Sequence, residues 1–303
     1  MSKVAPVVLF AYARPDHLRR TVASLLRNAE APITHLYVYC DGAGRPEHQS
    51  GVQAVRDYVE SIIGFASVTR IHHSTNLGLS RSVIQGVTAT LHEHGRTIVL
   101  EDDLVVSRHF LKFMNEALDC YHDDTNVASI HGYCYPTVAP LPETFFICGA
   151  DCWGWATWAR AWSDFQSDGR HLLHELRSRR LVKRFDLDGA YPYTRMLEQQ
   201  IEGRNDSWAI RWHAASFLNG SLTLYPGRSL VHNIGNDASG THAGVSSAFD
   251  QLIDDHPVRV DRIAVAESIS GRAAFVDFFR SQQGSRLRRA ARRLRERLTR
   301  VVA

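Results

Sequence analysis

The chain has 303 residues, 44% hydrophobic and 22% charged, the balance of an ordinary globular protein with enough apolar mass for a sizeable core. Its net charge of +3 is unevenly placed: the stretch Arg286 to Arg300 holds eight arginines and one acid, Glu296, so the rest is slightly acidic. That excludes a basic nucleic-acid-binding body.

The first half alternates strand and helix patterns in chain order. Val7 to Ala11 reads as a buried strand, and Pro15 opens a helix to about Asn28. His35 to Cys40 is a second strand ending at Asp41-Gly42, followed by a helix from about Gln49 to Ile63. Val68 to His72 is a short third strand, and Leu79 to His94 a helix with Gly95 as its cap. Thr97 to Leu100 is a fourth strand running into Glu101-Asp102-Asp103. Arg108 to Tyr121 is helical and Val127 to Ile130 is a fifth strand. This rhythm predicts an α/β fold with a mostly parallel, Rossmann-like sheet flanked by helices. Ligands of such sheets sit at the carboxyl ends of the strands. Arg14, Asp41, Asn76 and the acids at 101–103 all fall just past strand ends, so the fold would gather them.

The second half holds all six tryptophans, in the clusters Trp153/155/158/162 and Trp208/212, separated by a polar helical stretch from His171 to Gly203. Tyr225-Pro226 reads as the start of a turn, Gly235 to Gly244 as a loop of small residues, and Asp277 to Ala303 as a tail helix. Five cysteines, Cys40, Cys120, Cys134, Cys148 and Cys152, form no CxxC pair and point to a reducing cytosol rather than a disulfide framework or zinc site. The apolar stretch Val4 to Tyr12 is too short to span a membrane and has no signal-peptide layout, so the expected location is cytoplasmic. In the tail, Leu287, Ala291, Leu294 and Leu298 recur at roughly helical spacing among the arginines. That is the pattern of a basic amphipathic helix lying peripherally on an anionic membrane, here the inner face of the plasma membrane; a solvated tail is the plainer alternative.

Glu101-Asp102-Asp103 carries the chemistry. A divalent cation at a diphosphate needs only one or two protein carboxylates, because it keeps several waters. Here the acids are wedged between Thr97–Leu100 and Leu104-Val105-Val106, an unusual setting for an idle surface turn. Arg14 and Arg81 offer guanidinium forks that suit phosphate, although either also fits a surface ion pair. Tryptophans beside glycines and polar residues suit stacking on sugar faces, Trp155 and Trp208 foremost; the alternative is a set of large core residues.

In order along the chain, three segments resemble GT-A glycosyltransferases, particularly N-acetylglucosaminyltransferase I and its relatives: Ala11-Tyr12-Ala13-Arg14-Pro15 through Thr21, Asp41-Gly42, and Val99 through Val106 followed by Phe110. Trp153-Gly154-Trp155-Ala156-Thr157-Trp158, Asp206-Ser207-Trp208 and Asn233-Ile234-Gly235 through Thr241-His242 are similar to bacterial sugar transferases of cell-surface polysaccharide clusters. The resemblance covers about residues 5 to 245. It departs from the animal enzymes at Tyr12-Ala13, which lack the acid beside the arginine.

The resemblance implies a GT-A fold binding a nucleotide sugar, with UDP as the expected nucleotide, together with manganese or magnesium. Residues 1–135 would form the nucleotide-sugar half, 136–276 the tryptophan-rich acceptor half of the same domain, and 277–303 the basic tail. Asp103 would ligate the metal directly, Asp102 would face the ribose or a metal-bound water, and Glu101 would support the pair. Asp41 would accept the imide hydrogen of uracil, unless it is a plain Asp-Gly turn. Arg14, Asn76 and Arg81 would contact the nucleotide sugar, and His242 would complete the metal site from a late loop. Asp206, just before Trp208, would be the catalytic base of an inverting transfer to a hydroxyl of a glycan or lipid-linked acceptor. Glu202, four residues earlier on an expected shared helix face, and Asp151 are alternative bases. A sugar nucleotidyltransferase is the competing enzyme class, but it needs a glycine-rich loop after the first strand, where this chain has Ala11-Tyr12-Ala13-Arg14. A non-catalytic carbohydrate-binding protein is the competing non-enzyme class.

Overall fold

The computed structural model describes residues 4–237, 247–253 and 255–283. In the first half, strands β1 (Val7–Ala11), β2 (His35–Cys40), β3 (Ser67–His72) and β4 (Arg96–Glu101) alternate with helices α1 (Pro15–Leu25), α2 (Gln49–Glu60) and α3 (Leu79–His94). β1 is buried along its whole length, as a parallel strand covered on both faces must be. Pro15 starts α1 at a position where its missing N–H costs nothing. Gly95 ends α3 with φ +74°, and its amide donates to the Leu91 carbonyl at 2.8 Å.

The chain continues through β5 (Leu104–Val106), α4 (Phe110–Cys120), β6 (Val127–His131), β7 (Thr144–Cys148) and β8 (Trp155–Trp158). Helices α5 (Ala159–Trp162), α6 (Gly169–Ser178), α7 (Val182–Phe185), α8 (Tyr193–Ile201) and α9 (Trp208–Leu218) follow, then β9 (Leu222–Pro226) and β10 (Val231–Asn233). Eight strands form one sheet in the order β3-β2-β1-β4-β8-β6-β9-β7. The run β3-β2-β1-β4 is parallel throughout, and β6 and β9 are parallel to each other. β8 runs antiparallel between β4 and β6, and β7 runs antiparallel to β9. The sheet therefore takes strands from both 1–135 and 136–276. A separate antiparallel pair, β5 with β10, matches Asn233 with Leu104 and carries the chain after β10 back across the acidic triplet.

Successive side chains of β1 point to opposite faces. Val7, Leu9 and Ala11 join the larger core with α1, α2 and α4, while Val8 and Phe10 join a second core with Val99, Trp155, Trp162, Trp208 and Trp212.

Three readings of the second half are corrected. The 171–203 stretch is not one helix, because Arg180, Leu187, Asp188 and Gly189 take positive φ between α6, α7 and α8. Tyr225-Pro226 closes strand β9 rather than opening a turn. The last described helical segment spans 269–283, so it starts before Asp277 and is part of the body. Phe275, Phe278 and Phe279 are buried, with ring centroids 4.8, 5.5 and 4.9 Å from Tyr135. The arginine-rich stretch 286–300 lies outside the described residues.

Candidate active site

The triplet sits where parallel β4 ends beside β1. Asp102 and Asp103 are buried, at 3% and 9% exposure. Both lean on the β1–α1 junction. Arg14 Nη2 donates to Asp102 Oδ1 and, at 2.8 Å, to Asp103 Oδ2. The Tyr12 amide donates to Asp102 Oδ2 at 3.3 Å, and the Thr21 hydroxyl to the Asp102 carbonyl at 2.7 Å. Asp102 thus has both carboxylate oxygens engaged, whereas Asp103 Oδ1 has no hydrogen-bond partner among the described residues.

Burial, reinforced by the Asp103 and Asp102 carboxylates, pushes Glu101 up to about 8. Burial also raises Asp102, with Arg14 opposing. For Arg14 burial works against the charge, and the two aspartates more than offset it, so its pKa is raised. The two buried aspartates thus share one cation, Arg14, while Glu101 is pushed towards its neutral form.

The strand pair β5–β10 roofs this cluster. The Ile234 amide donates to the Asp103 carbonyl at 2.8 Å. A Cβ added at Gly235 would stand 2.1 Å from Asp103 Oδ2 and 3.1 Å from an Arg14 nitrogen. Just beyond, Asp237 pairs with His17 at 3.1 Å. Thr21 and Gly235 were legible only as ends of resembling segments; nothing in their own chemistry marks them. His242 lies outside the described residues.

Asp41, at the end of β2, is buried and occupied by backbone. Its Oδ1 accepts the Gly42 and Leu77 amides at 2.9 and 2.8 Å, and its Oδ2 accepts the Gly78 amide at 2.9 Å. Asn76 closes the same junction by donating to the Gly42 carbonyl at 2.8 Å. Gly42 is required there, since a Cβ would meet the Thr75 backbone at 2.5 Å. A polar cleft of about 460 Å³, lined by Gly44, Arg45, Gln49, Arg56 and Ser74, opens beside this loop. A larger cleft, of about 570 Å³ between Arg184, Asp188, Glu267, Arg272 and Arg280, contains none of the predicted site residues.

Asp206 is exposed and lies just ahead of α9, whose N-cap is Ser207, with its hydroxyl oxygen accepting the Ile210 amide. Arg211, 8% exposed, pairs with Asp206 at 3.4 Å and donates to Ser80 Oγ at 2.5 Å. Ser80 and the exposed Arg81 occupy the first turn of α3, which begins immediately after the junction held by Asp41. Asp206 is therefore tied to the nucleotide-side helix through one buried arginine. Glu202 does not share a helix with it: α8 ends at Ile201, Gly203 turns at φ +71°, and Glu202 pairs with Arg204.

Trp155 and Trp208 correct the expectation that they present open faces to a sugar. They are 0% and 3% exposed, and their rings stack on each other at 5.4 Å. With Trp162 and Trp212 they form the second core, because strand β8 is covered on both faces and turns every side chain inward. Asp151, the third base candidate, accepts the Tyr135 hydroxyl at 2.6 Å and the Cys152 amide at 2.9 Å. It anchors the loop between β7 and β8, where burial and the Asp151 carboxylate push the Cys152 thiol well above its ordinary value.

The mostly parallel sheet thus holds a buried acid–arginine cluster at the carboxyl end of β4, where ligands of such sheets sit. The model of glycosyl transferase family 2 matches residues 7–189, and the chain belongs to that family. Among solved structures it is similar to TarS from S. aureus, at 13% identity and TM-score 0.31, covering 48% of this chain and 24% of that one. It is similar also to the mannosyltransferase PcManGT from Pyrobaculum calidifontis in complex with GDP-Man and Mn2+, at 10% identity and TM-score 0.34, covering 69% and 73%. UDP-glucose pyrophosphorylase complexed with UDP-glucose aligns at 10% identity and TM-score 0.37, covering 73% and 90%. The chain thus spans about a quarter of the length of TarS. No curated protein matches the sequence. The family assignment rests on the match over 7–189.

Proposed function

We propose that this chain is a metal-dependent, inverting glycosyltransferase that moves a sugar from a UDP-sugar to a hydroxyl of a glycan or lipid-linked acceptor in surface polysaccharide synthesis. The observation that carries the reading is the Asp102–Asp103 pair, buried at the end of β4, bridged by Arg14 and approached closely by Gly235. The pair suits manganese or magnesium, which need few protein ligands. Asp103 is the better direct ligand because its Oδ1 is unengaged among the described residues. Asp102, held on both oxygens, suits orientation of a ribose or of a metal-bound water. When bound, the metal offsets charge building on the leaving diphosphate.

Arg14, Arg81 and Asn76 are assigned to the nucleotide sugar, and His242 to the metal. Asp41 supports this edge by fixing the loop after β3; its engaged oxygens favour that role over direct recognition of uracil. Asp206 is assigned as the base that takes the acceptor proton. Its exposed carboxylate and its buried arginine tether favour it over Asp151, whose oxygens are already engaged, and over Glu202. The arginine-rich stretch 286–300 is assigned to peripheral contact with an anionic membrane.

The test is incubation with UDP-sugars and soluble acceptors, with and without manganese, and proton NMR of the anomeric product. Manganese-dependent turnover with inverted configuration is the expected result. Turnover undiminished in EDTA, or retained configuration, contradicts the proposal.

A further inference from the structure

We propose that Arg211 is the positioning residue of the acceptor-side base: it holds one oxygen of Asp206 in register with the donor-side helix α3 and leaves the other to take the acceptor proton. The inference rests on the reading of Asp206 as the base and deepens it.

Arg211 is fixed independently of Asp206. Its side chain is 9% exposed. Nε donates to the Ser207 carbonyl at 3.2 Å, Nη1 to the Ser167 carbonyl at 3.4 Å and Nη2 to Ser80 Oγ at 2.5 Å. The three acceptors lie on three segments: the N-cap of α9, the stretch ahead of α6 and the first turn of α3. The second hydrogen of Nη2 serves Asp206 Oδ1 at 3.4 Å. Asp206 Oδ2 has no hydrogen-bond partner among the described residues.

Stability does not account for this pair. An ion pair whose carboxylate side chain is 70% exposed contributes little to folding. Burial meanwhile works against the Arg211 charge and lowers its pKa, with Asp206 pulling the other way. What the pair fixes is a direction. Untethered, so exposed a side chain would sample several rotamers. Held through Oδ1, it presents Oδ2 at one place relative to the turn that carries Ser80 and Arg81. As the acceptor oxygen bonds the anomeric carbon and the diphosphate leaves with the bonding pair, the hydroxyl proton passes to Oδ2. A misplacement of about 1 Å at such a step costs about 10²-fold in rate.

The test measures kcat and donor KM with Mn2+ for UDP-glucose, UDP-galactose and their N-acetylhexosamine counterparts, with octyl glycosides as acceptors. The proteins are wild type, Arg211→Gln, Asp206→Asn and the double variant. Arg211→Gln should lower kcat about 10²-fold with donor KM little changed. The double variant should be no slower than Asp206→Asn alone, because the residue that Arg211 acts through is already disabled. Losses that multiply overturn the proposal, as do a wild-type kcat in Arg211→Gln and a loss confined to donor KM. If Arg211→Gln does not fold, Ser80→Ala decides, since it removes only the α3 end of the tether. A lower kcat at unchanged donor KM, absent in the Asp206→Asn background, then supports the proposal, and an unchanged kcat overturns it. Wild-type turnover by Asp206→Asn removes the base reading itself and this inference with it, and no turnover of any pair by wild type removes the transfer reading.

Discussion

Glu101, Asp102 and Asp103 are neighbours in sequence with three different tasks. Asp102 is saturated by Arg14 and the Tyr12 amide, Asp103 keeps one oxygen unengaged, and Glu101 is pushed towards its neutral form. Residue 235 approaches Asp103 this closely because it has no side chain. Gly235→Ala should cost at least about tenfold in Mn2+-supported donor binding, because the added Cβ would stand 2.1 Å from Asp103 Oδ2 and one of the two must shift. Unchanged donor affinity in a calorimetric titration contradicts that geometry. Asp206→Asn should lower turnover by about 10²–10⁴-fold with donor affinity retained, the usual contribution of a general base; normal turnover in Asp206→Asn, with Glu202→Gln inactive, removes Asp206 from that role. The acids were legible in the sequence because polar residues between two apolar runs are conspicuous. Gly235 and Thr21 were not, since their importance lies in the shape and hydrogen bonding that a distant segment imposes.

At the scale of elements, β1 to β4, β6 and helices α1 to α4 were legible, β1 and β4 as short apolar runs and α1 and α3 by Pro15 and Gly95, whereas the three-residue strand β5 was not. β7 to β10 were not. Trp155–Trp158 is buried at all four positions, so it has no alternation to betray a strand, and its aromatic content suggested a ligand surface instead. The loop between β7 and β8 depends on one half-buried and one buried histidine: His213 bonds the Ala150 backbone at 2.7 Å, and His131 Nε2 accepts the Trp153 amide at 3.0 Å. Burial lowers the pKa of both. A histidine depressed in the folded state contributes stability that is present above its unfolded value near 6.5 and is lost as pH falls through the folded value. Wild type should therefore lose stability as pH falls below about 6.5. His213→Asn should be less stable at pH 7.5 but should show a shallower decline over that window. Parallel urea-midpoint curves for the two proteins would rule the histidine out as a source of the acid sensitivity.

At the scale of the whole molecule, one sheet unites the two halves that the sequence suggested, and the helical segment 269–283 closes the body rather than trailing from it. The tail helix expected to begin at Asp277 cuts through this segment. That expectation missed that Phe278 and Phe279 pack on Tyr135 and Tyr191. A chain ending at residue 276 should lose about 3–5 kcal/mol for each phenylalanine removed from the core, whereas one ending at 283 should keep the wild-type denaturation midpoint; equal midpoints for the two truncations contradict this packing. The central claim is that the Asp102–Asp103 pair is a metal-assisted nucleotide-sugar site. It is tested most directly by the thermal midpoint of the full chain with a panel of nucleotide sugars, with and without Mn2+, in wild type and Asp103→Asn. A ligand that binds only the native state raises that midpoint. The account predicts a rise with a UDP-sugar that requires Mn2+ and disappears in Asp103→Asn. A rise of equal size without metal, or one that survives in Asp103→Asn, would contradict it.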